Sequence, residues 1–452
     1  MLALAVGGKS TLLTSSPRAR DLGLFATAAS LSARPVLVAS PFAAELYAAA
    51  RASSSLEVLG FGAFVKPGSR GSAKSRLLRG GSLLVVVEPA QLLDPELRGV
   101  IAKSPLALLG VAAAHASSPE AHELSPSYLR LKESCKAFGA SVLATSTQTA
   151  EGVVAAVAAS IGASPSGVVV ASAPALVERA QWLRGVARKT ALFAAVDALL
   201  APGIVLTLTP QEADGVFAEL SQRGVACVRT HAGMAPEERA AALTRFGTPS
   251  ERLVLVAVSP HGCPSGLAGS AEVGLGLSSA PPRPDLHFLI HFQAPLSLEQ
   301  RFEDLAWLPA GAAALMIADS GDAVLVQAML AQQRLKPSAL EAVAEALALA
   351  SVDRPATPEA LALRAGVSRR SLERVLSALS DAGLITREGN CVRSLVPADT
   401  LSTEGRLLAV HFASLRASDS ARAEAMAQHL TEHQQNVMPW AVAAVAAKAA
   451  RA

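Results

Sequence analysis

"LLGVAAAHASS" runs from Leu108 to Ser118. An apolar run ends at Val111, three alanines follow, and then comes a lone histidine, His115. "LALLGV" (106–111) has the length and composition of a strand buried on both faces, as in a parallel sheet covered by helices. In such a sheet, ligands gather outside the carboxyl ends of the strands. Residues 112–115 therefore stand where an α/β protein places its chemistry, and three of the four side chains are methyl groups.

The same texture extends in both directions. Strand candidates in the first half are "RPVLVAS" (34–40), "SLLVVVE" (82–88), "LALLGV" (106–111) and "ASVLATS" (140–146). A second set follows: "GIVLTLT" (203–209), "ACVRTH" (226–231), "RLVLVAVS" (252–259) and "HFLIHF" (287–292). Alanine-rich helical stretches alternate with them, so each set predicts a parallel sheet wound with helices. "GASPSG" (162–167) reads as the linker, giving α/β domains over 1–163 and 164–336.

Composition agrees. The chain has 452 residues, enough for two or three domains. Hydrophobic residues make up 51% but aromatics only 4%, so the apolar content is mostly alanine, valine and leucine. The net charge is +3, a mild basic bias compatible with nucleic acid. Mean hydropathy is +0.37, yet the longest apolar stretch, Gly152 to Ala175, is broken by serines, glycines and prolines, so no membrane span is expected. "MLALAVGGKST" has no basic leader, which predicts a cytoplasmic protein without a signal peptide. Cys135, Cys227, Cys263 and Cys391 are far apart and form no C-x-x-C pair.

After Pro337 the alternation stops. "TPEALALRAGVSRRSLERVLSALSDAGLI" reads as helix, tight turn and second helix, followed by a hairpin around "EGN". Thr357 is a natural N-cap before Pro358, and Leu372, Val375, Leu376 and Leu379 form one apolar stripe. The pattern is that of a winged-helix domain over 338–396, with a helical tail over 403–452.

This order of segments resembles the RecQ-type DNA helicases of superfamily 2. "GIVLTLTPQEADGVFAELSQRGVACVRTHAGMAPEERAAALTRF" carries the family's strand, helix and His-Ala-Gly turn at His231, Ala232 and Gly233. "PDLHFLIHFQAPLSLEQRFED" (284–304) looks like the strand and helix of its last motifs. "PVLVASPF" (35–42) and "VVVEPAQLL" (85–93) resemble segments of its first half. The resemblance implies two RecA-like domains followed by a winged helix and a tail. It also implies ATP and Mg²⁺ as cofactors and DNA as partner.

The departures fall on chemistry. In that family the strand at 106–111 would end in Asp-Glu-Ala-His, whose carboxylates hold Mg²⁺ and position the attacking water. Here Ala112 and Ala113 replace the carboxylates, and Ala114 and His115 keep the rest. A methyl group is no ligand for a hard cation. Gly7, Gly8, Lys9 and Ser10 retain part of a phosphate-binding loop, but Val6 replaces a glycine and only a stub of preceding strand remains. A Gly-Gly turn with a solvated lysine reads equally well there. "ASSPEAHELSPSY" (116–128) stands where the family has an aromatic-rich loop that couples nucleotide to single-stranded DNA, and only Tyr128 is aromatic. In "FEDLAWLPAGAA" (302–313), Trp307 and Ala310 fall where paired arginines would stabilise transition-state charge.

Two constellations remain. "HLTEH" (429–433) puts His429 and His433 one helical turn apart, but no third ligand follows. With the family's four zinc cysteines absent from "RASDSARAEAMAQHLTEHQQNVMPW" (416–440), no metal site is expected. Arg369, Arg370 and Arg374 lie on the winged helix's presumed recognition helix, and Arg387 and Arg393 flank the wing. These five are the candidate DNA contacts, with duplex preferred. The expectation is a degenerate helicase homologue that binds DNA, or a partner helicase or repair protein, in repair or recombination without driving unwinding. A docking or regulatory subunit that never touches DNA is the alternative. A third is an active helicase whose missing parts come from upstream sequence or from a partner.

Overall fold

The computed structural model describes residues 8–432 except 15–20, 54–55, 63, 66–67, 119–125, 149–150, 171–176, 184, 232, 250, 260–284, 306, 310, 320, 350–355 and 389–390. The chain divides into two compact units. The first contains a seven-stranded sheet made of β1 (Thr11–Thr14), β2 (Val36–Ala39), β3 (Glu57–Phe61), β4 (Leu83–Val87), β5 (Leu108–Val111), β6 (Val142–Thr145) and β7 (Val168–Val170). The order is β3-β4-β2-β5-β6-β1-β7, and every pairing is parallel.

Parallel strands need crossover helices, and the alanine-rich segments supply them on both faces. Alternate residues of one strand serve opposite cores. Leu83, Val85 and Val87 pack with Leu77, Leu97 and Ile101, whereas Leu84 and Val86 pack with Phe25 and Ala29. Gly110 in β5 is part of this fit. A Cβ there would lie 2.8 Å from Phe25 Cε1 and 2.9 Å from Val38 Cγ2, so only glycine lets the Phe25 ring lie on the strand.

The sheet reaches past the expected boundary at 163. Val168–Val170 pairs with Leu12–Thr14 and forms the edge, so the first domain runs at least to Val170. Strands β1, β3 and β7 are not among those read from the sequence; β3 and β7 are the two edge strands, only partly buried, so they lack the continuous apolar run of a central strand.

The same unit holds residues 334–418. Helices Pro337–Ala348, Pro358–Ala365 and Arg369–Asp381 precede an antiparallel hairpin of β14 (Ile385–Glu388) and β15 (Cys391–Ser394), and a helix spans Ala398–Glu432. One cap is the one the sequence offers, Thr357, and Ser368 is a second. Thr357 Oγ1 accepts from Ala360 N at 3.3 Å and Ser368 Oγ from Ser371 N at 3.2 Å. Leu372, Val375, Leu376 and Leu379 are buried together with Leu340, Val343 and Leu401. The last helix starts at Ala398, directly after the hairpin, rather than near Thr403.

The second unit contains a six-stranded parallel sheet ordered β10-β11-β9-β12-β13-β8. Its strands are β8 (Val177–Trp182), β9 (Gly203–Thr207), β10 (Cys227–Thr230), β11 (Val254–Val258), β12 (Phe288–His291) and β13 (Ala313–Ala318). A buried ion pair fastens helix Gly185–Leu199 to this sheet. Arg188 Nη1 and Nη2 donate to the two carboxylate oxygens of Asp322 at 3.1 and 3.0 Å, and its Nε donates to Ile317 O at 3.2 Å. Asp322 also accepts from Ala294 N and Asp319 N, both at 3.0 Å. Among the described residues no helix is long and apolar enough to cross a membrane.

Removing one member of such a pair leaves the other charge buried and uncompensated. Asp322→Ala is expected to destabilise the second unit by about 3–5 kcal/mol, read from the shift of its denaturant unfolding midpoint.

Candidate functional site

The end of β5 is sealed. Ala112, Ala113, Ala114 and His115 are all buried, and the chain turns there through a 3₁₀ segment, Ala114–Ser117. Ala112 N continues the ladder by donating to Ala39 O at 2.9 Å. Ala113 then reverses the chain with φ = 52°, a left-handed conformation that costs a non-glycine residue about 1 kcal/mol. The turn closes through Ala116 N to Ala113 O at 3.0 Å and Ser117 Oγ to Ala114 O at 2.8 Å.

Tyr128 completes the seal. It is fully buried, and its hydroxyl lies 2.9 Å from Ala39 O and 2.8 Å from Ala112 O, so its single hydrogen is shared between the two carbonyls. The phenol thus joins the carboxyl ends of β2 and β5. Burial pushes its pKa well above the ordinary value, and the nearby Asp21 and Cys135 add to the shift. The one aromatic of the 116–128 segment therefore lies in the core, where no nucleobase can stack on it.

Gly8, Lys9 and Ser10 require a correction. They lead into β1 at its amino end, whereas a phosphate-binding loop joins a strand's carboxyl end to a helix. Ser10 Oγ accepts from Val142 N at 3.3 Å, so it serves the sheet ladder. Gly7 lies outside the described residues. The connection from β1 to helix Asp21–Ser30 is residues 15–20, "SSPRAR", whose sequence contains neither glycine nor lysine. The buried alanines at 112–114 offer no oxygen to Mg²⁺, and residues 8–10 at the amino end of β1 do not form the strand-to-helix loop that cradles phosphate.

In the second unit Trp307 is buried among Leu286, Leu305, Leu308 and Ala312, so the position expected to face phosphate holds core. Ala310 lies outside the described residues. The composition gave no sign of the polar cluster beside it. His291 Nε2 meets Asp304 Oδ2 at 3.1 Å, Ser259 Oγ donates to Asp304 at 3.3–3.4 Å, and Gln300 Nε2 donates to Ser259 Oγ. All four side chains are buried, which ties helix Leu298–Leu305 to the ends of β11 and β12. The signal was present in the spacing of His291, Gln300 and Asp304, but its partner Ser259 lies more than 30 residues earlier. His231 is held between Asp214 Oδ1 at 3.0 Å and Gly233 N at 3.2 Å, and Asp214 also pairs with Arg229.

The five candidate arginines divide. Arg369, Arg370, Arg387 and Arg393 are exposed, with Arg369 4.0 Å from Glu359. Arg387 Nη2 donates to Glu373 Oε2 at 2.5 Å. Arg374 is half-buried, and desolvation, with Arg370 close by, lowers its pKa. At this helix's last residue, Asp381 has its carboxyl pushed up to about 7, first by burial and then by the charge of Glu88. The helix packs against the turn after β4, Pro89–Leu93, a contact no local pattern in the sequence foretold.

Among the described residues no group of three or more His, Cys, Asp or Glu side chains could hold a metal ion. His433 lies outside them, as does the side chain of His429. Burial pushes the Cys135 thiol up to about 12.

No protein-family model matches the chain, and no curated protein matches its sequence. In fold it is similar to solved superfamily 2 helicases. The DUF1998 helicase MrfA bound to DNA gives a TM-score of 0.50 at 13% identity, over 88% of this chain and 57% of that one. The same helicase bound to DNA and AMPPNP gives 0.49 at 14%, over 87% and 58%. A DEAD box protein from the hyperthermophile Methanococcus jannaschii gives 0.48 at 13%, over 74% and 88%. The chain thus spans just over half the length of MrfA. The likeness to MrfA is one of fold: two parallel-sheet α/β domains of the RecA-like helicase type, with a helical region after them.

Asp381 gives a pH test of the contact between this helix and the turn after β4. Its folded pKa, about 7, lies above the ordinary aspartate value of 3.8, so its contribution to stability is full below the latter and fades as pH rises to about 7. The thermal midpoint of the first unit is expected to fall between pH 5 and pH 8, and Asp381→Asn to flatten that dependence.

Proposed function

We propose that this chain is a catalytically silent helicase homologue, RecQ-like in segment order, that binds duplex DNA through its three-helix-and-hairpin domain. That domain is read as a winged helix acting in repair or recombination. The observation that carries the reading is the buried end of β5, where Ala112, Ala113 and the Tyr128 hydroxyl occupy the place of metal-binding carboxylates. An aspartate restored at 112 would be desolvated beneath Tyr128, and burial would favour its neutral form. The exposure of Arg369, Arg370 and Arg393, and the DNA bound to MrfA, support DNA as the partner.

The engagement of Arg387 with Glu373 and the burial of Arg374 favour a second reading, a docking subunit that contacts protein instead. One sample separates the two. Purified protein is expected to show no DNA-stimulated ATP turnover and to bind a short labelled duplex more tightly than single strands. Each phosphate contact contributes about 0.9 to the log–log salt slope, so Arg369→Ala with Arg370→Ala should lower that slope by about 1.8. Robust turnover abolished by Lys9→Ala would overturn catalytic silence. Failure to bind any DNA at low salt would leave the docking reading in its place.

A further inference from the structure

We propose that the helix Arg369–Asp381 is held closed against the first α/β domain, so that the contact masks the face a duplex would meet and must open before DNA binds. The inference rests on the reading of this helix as the DNA-contacting element.

The helix has two sides with different neighbours. Leu372, Val375, Leu376 and Leu379 point into the core of their own domain. The other side should then be free, as it is for a helix that enters the major groove. It is not free here. Glu373, Arg374, Ser377, Ser380 and Asp381 are all at most partly exposed, and only Arg369 and Arg370 at the amino end stand fully in solvent. The 3₁₀ turns Pro89–Leu93 and Pro126–Arg130 of the first domain pack against this helix. Just beyond its end, Gly383 (φ = 70°) approaches so closely that a Cβ there would lie 3.0 Å from Leu93 Cδ1.

The major groove, about 12 Å wide, admits a helix only if protein does not line its outer flank. In this arrangement the exposed arginines can touch phosphate, but the rest of the helix cannot follow them in. The contact is also one that can part. Asp381, the last residue of the helix, has its carboxyl raised by burial and then by the charge of Glu88, so these two like charges disfavour the closed contact. The covering surface is two short turns rather than a broad sheet face.

Leu93 offers a way to open the contact from the far side, without touching the helix. Leu93→Asp would set a carboxylate in the apolar contact with Gly383, where it would be desolvated unless the contact parts. The full-length variant is compared with wild type by duplex binding at fixed salt. Hydrogen exchange of residues 89–93 and 126–130 reports release, and circular dichroism reports folding. Faster exchange there, with duplex affinity raised about tenfold and the gain lost on Arg369→Ala with Arg370→Ala, supports the proposal. Release with unchanged affinity that still depends on those arginines overturns the mask and leaves the DNA reading standing. Release with no DNA binding in either protein overturns both. If Leu93→Asp unfolds the domain, Leu93→Ala serves as the milder opening. An affinity equal to wild type with the turns released in that variant counts against the mask in the same way.

Discussion

A strand covered by helices on both faces has no room for charge along its length. Both sheets of this protein are built from such strands: β2, β4, β5 and β6 in one, β9, β11 and β12 in the other, are buried at every residue. The consequence is geometric. Polar chemistry in this architecture is confined to the strand ends, and whatever stands there decides what the fold can do. The continuous apolar runs fix the scaffold, and the few residues after each run fix the chemistry.

At the end of β5 those few residues have turned into core. A metal-binding carboxylate needs water and a cation within reach. Here a left-handed alanine, a 3₁₀ turn and the Tyr128 phenol close the space and satisfy the Ala39 and Ala112 carbonyls. The second sheet follows the same course by another route. Trp307 fills a position between packed leucines, and the polar groups near the ends of β11 and β12 satisfy one another as His291, Asp304, Ser259 and Gln300. In both units the described residues at these strand ends are packed and hydrogen-bonded into the fold. A buried polar network of this kind rigidifies its surroundings only when its members are paired, which these are.

The region after Pro337 adds a different element to the first unit. It has its own apolar core and its own caps, yet its third helix also meets the turns after β4 and before helix Leu131–Phe138. A helix that serves two interfaces has fewer side chains left for a third partner. On this helix Arg374 is half-buried whereas Arg369 and Arg370 at its amino end are exposed, although all three carry the same charge in the sequence.

The sequence by itself determined the parts whose causes are local. Buried strands show as apolar runs, so all eight strands read from it are present, shortened by a residue or more. Thr357 and Ser368 cap their helices because a cap needs only a hydroxyl and the next turn. That residues 112 and 113 are alanines, with no oxygen ligand, is likewise a statement about two residues. Tertiary structure decided what depends on distant neighbours. Leu12 lies beside Ala144 and Val168, so β1 became a strand through partners more than a hundred residues away, and Lys9 fell at its amino end. Four residues of "TLLT" carry too little period to announce that. The same holds for Tyr128, whose hydroxyl reaches Ala39, and for Asp381, which lies beside Glu88. Residue type and spacing set the elements, because hydrogen bonds and burial along one strand or helix are short-ranged. Which polar groups remain available to a partner is set by contacts between elements that the chain brings together only on folding.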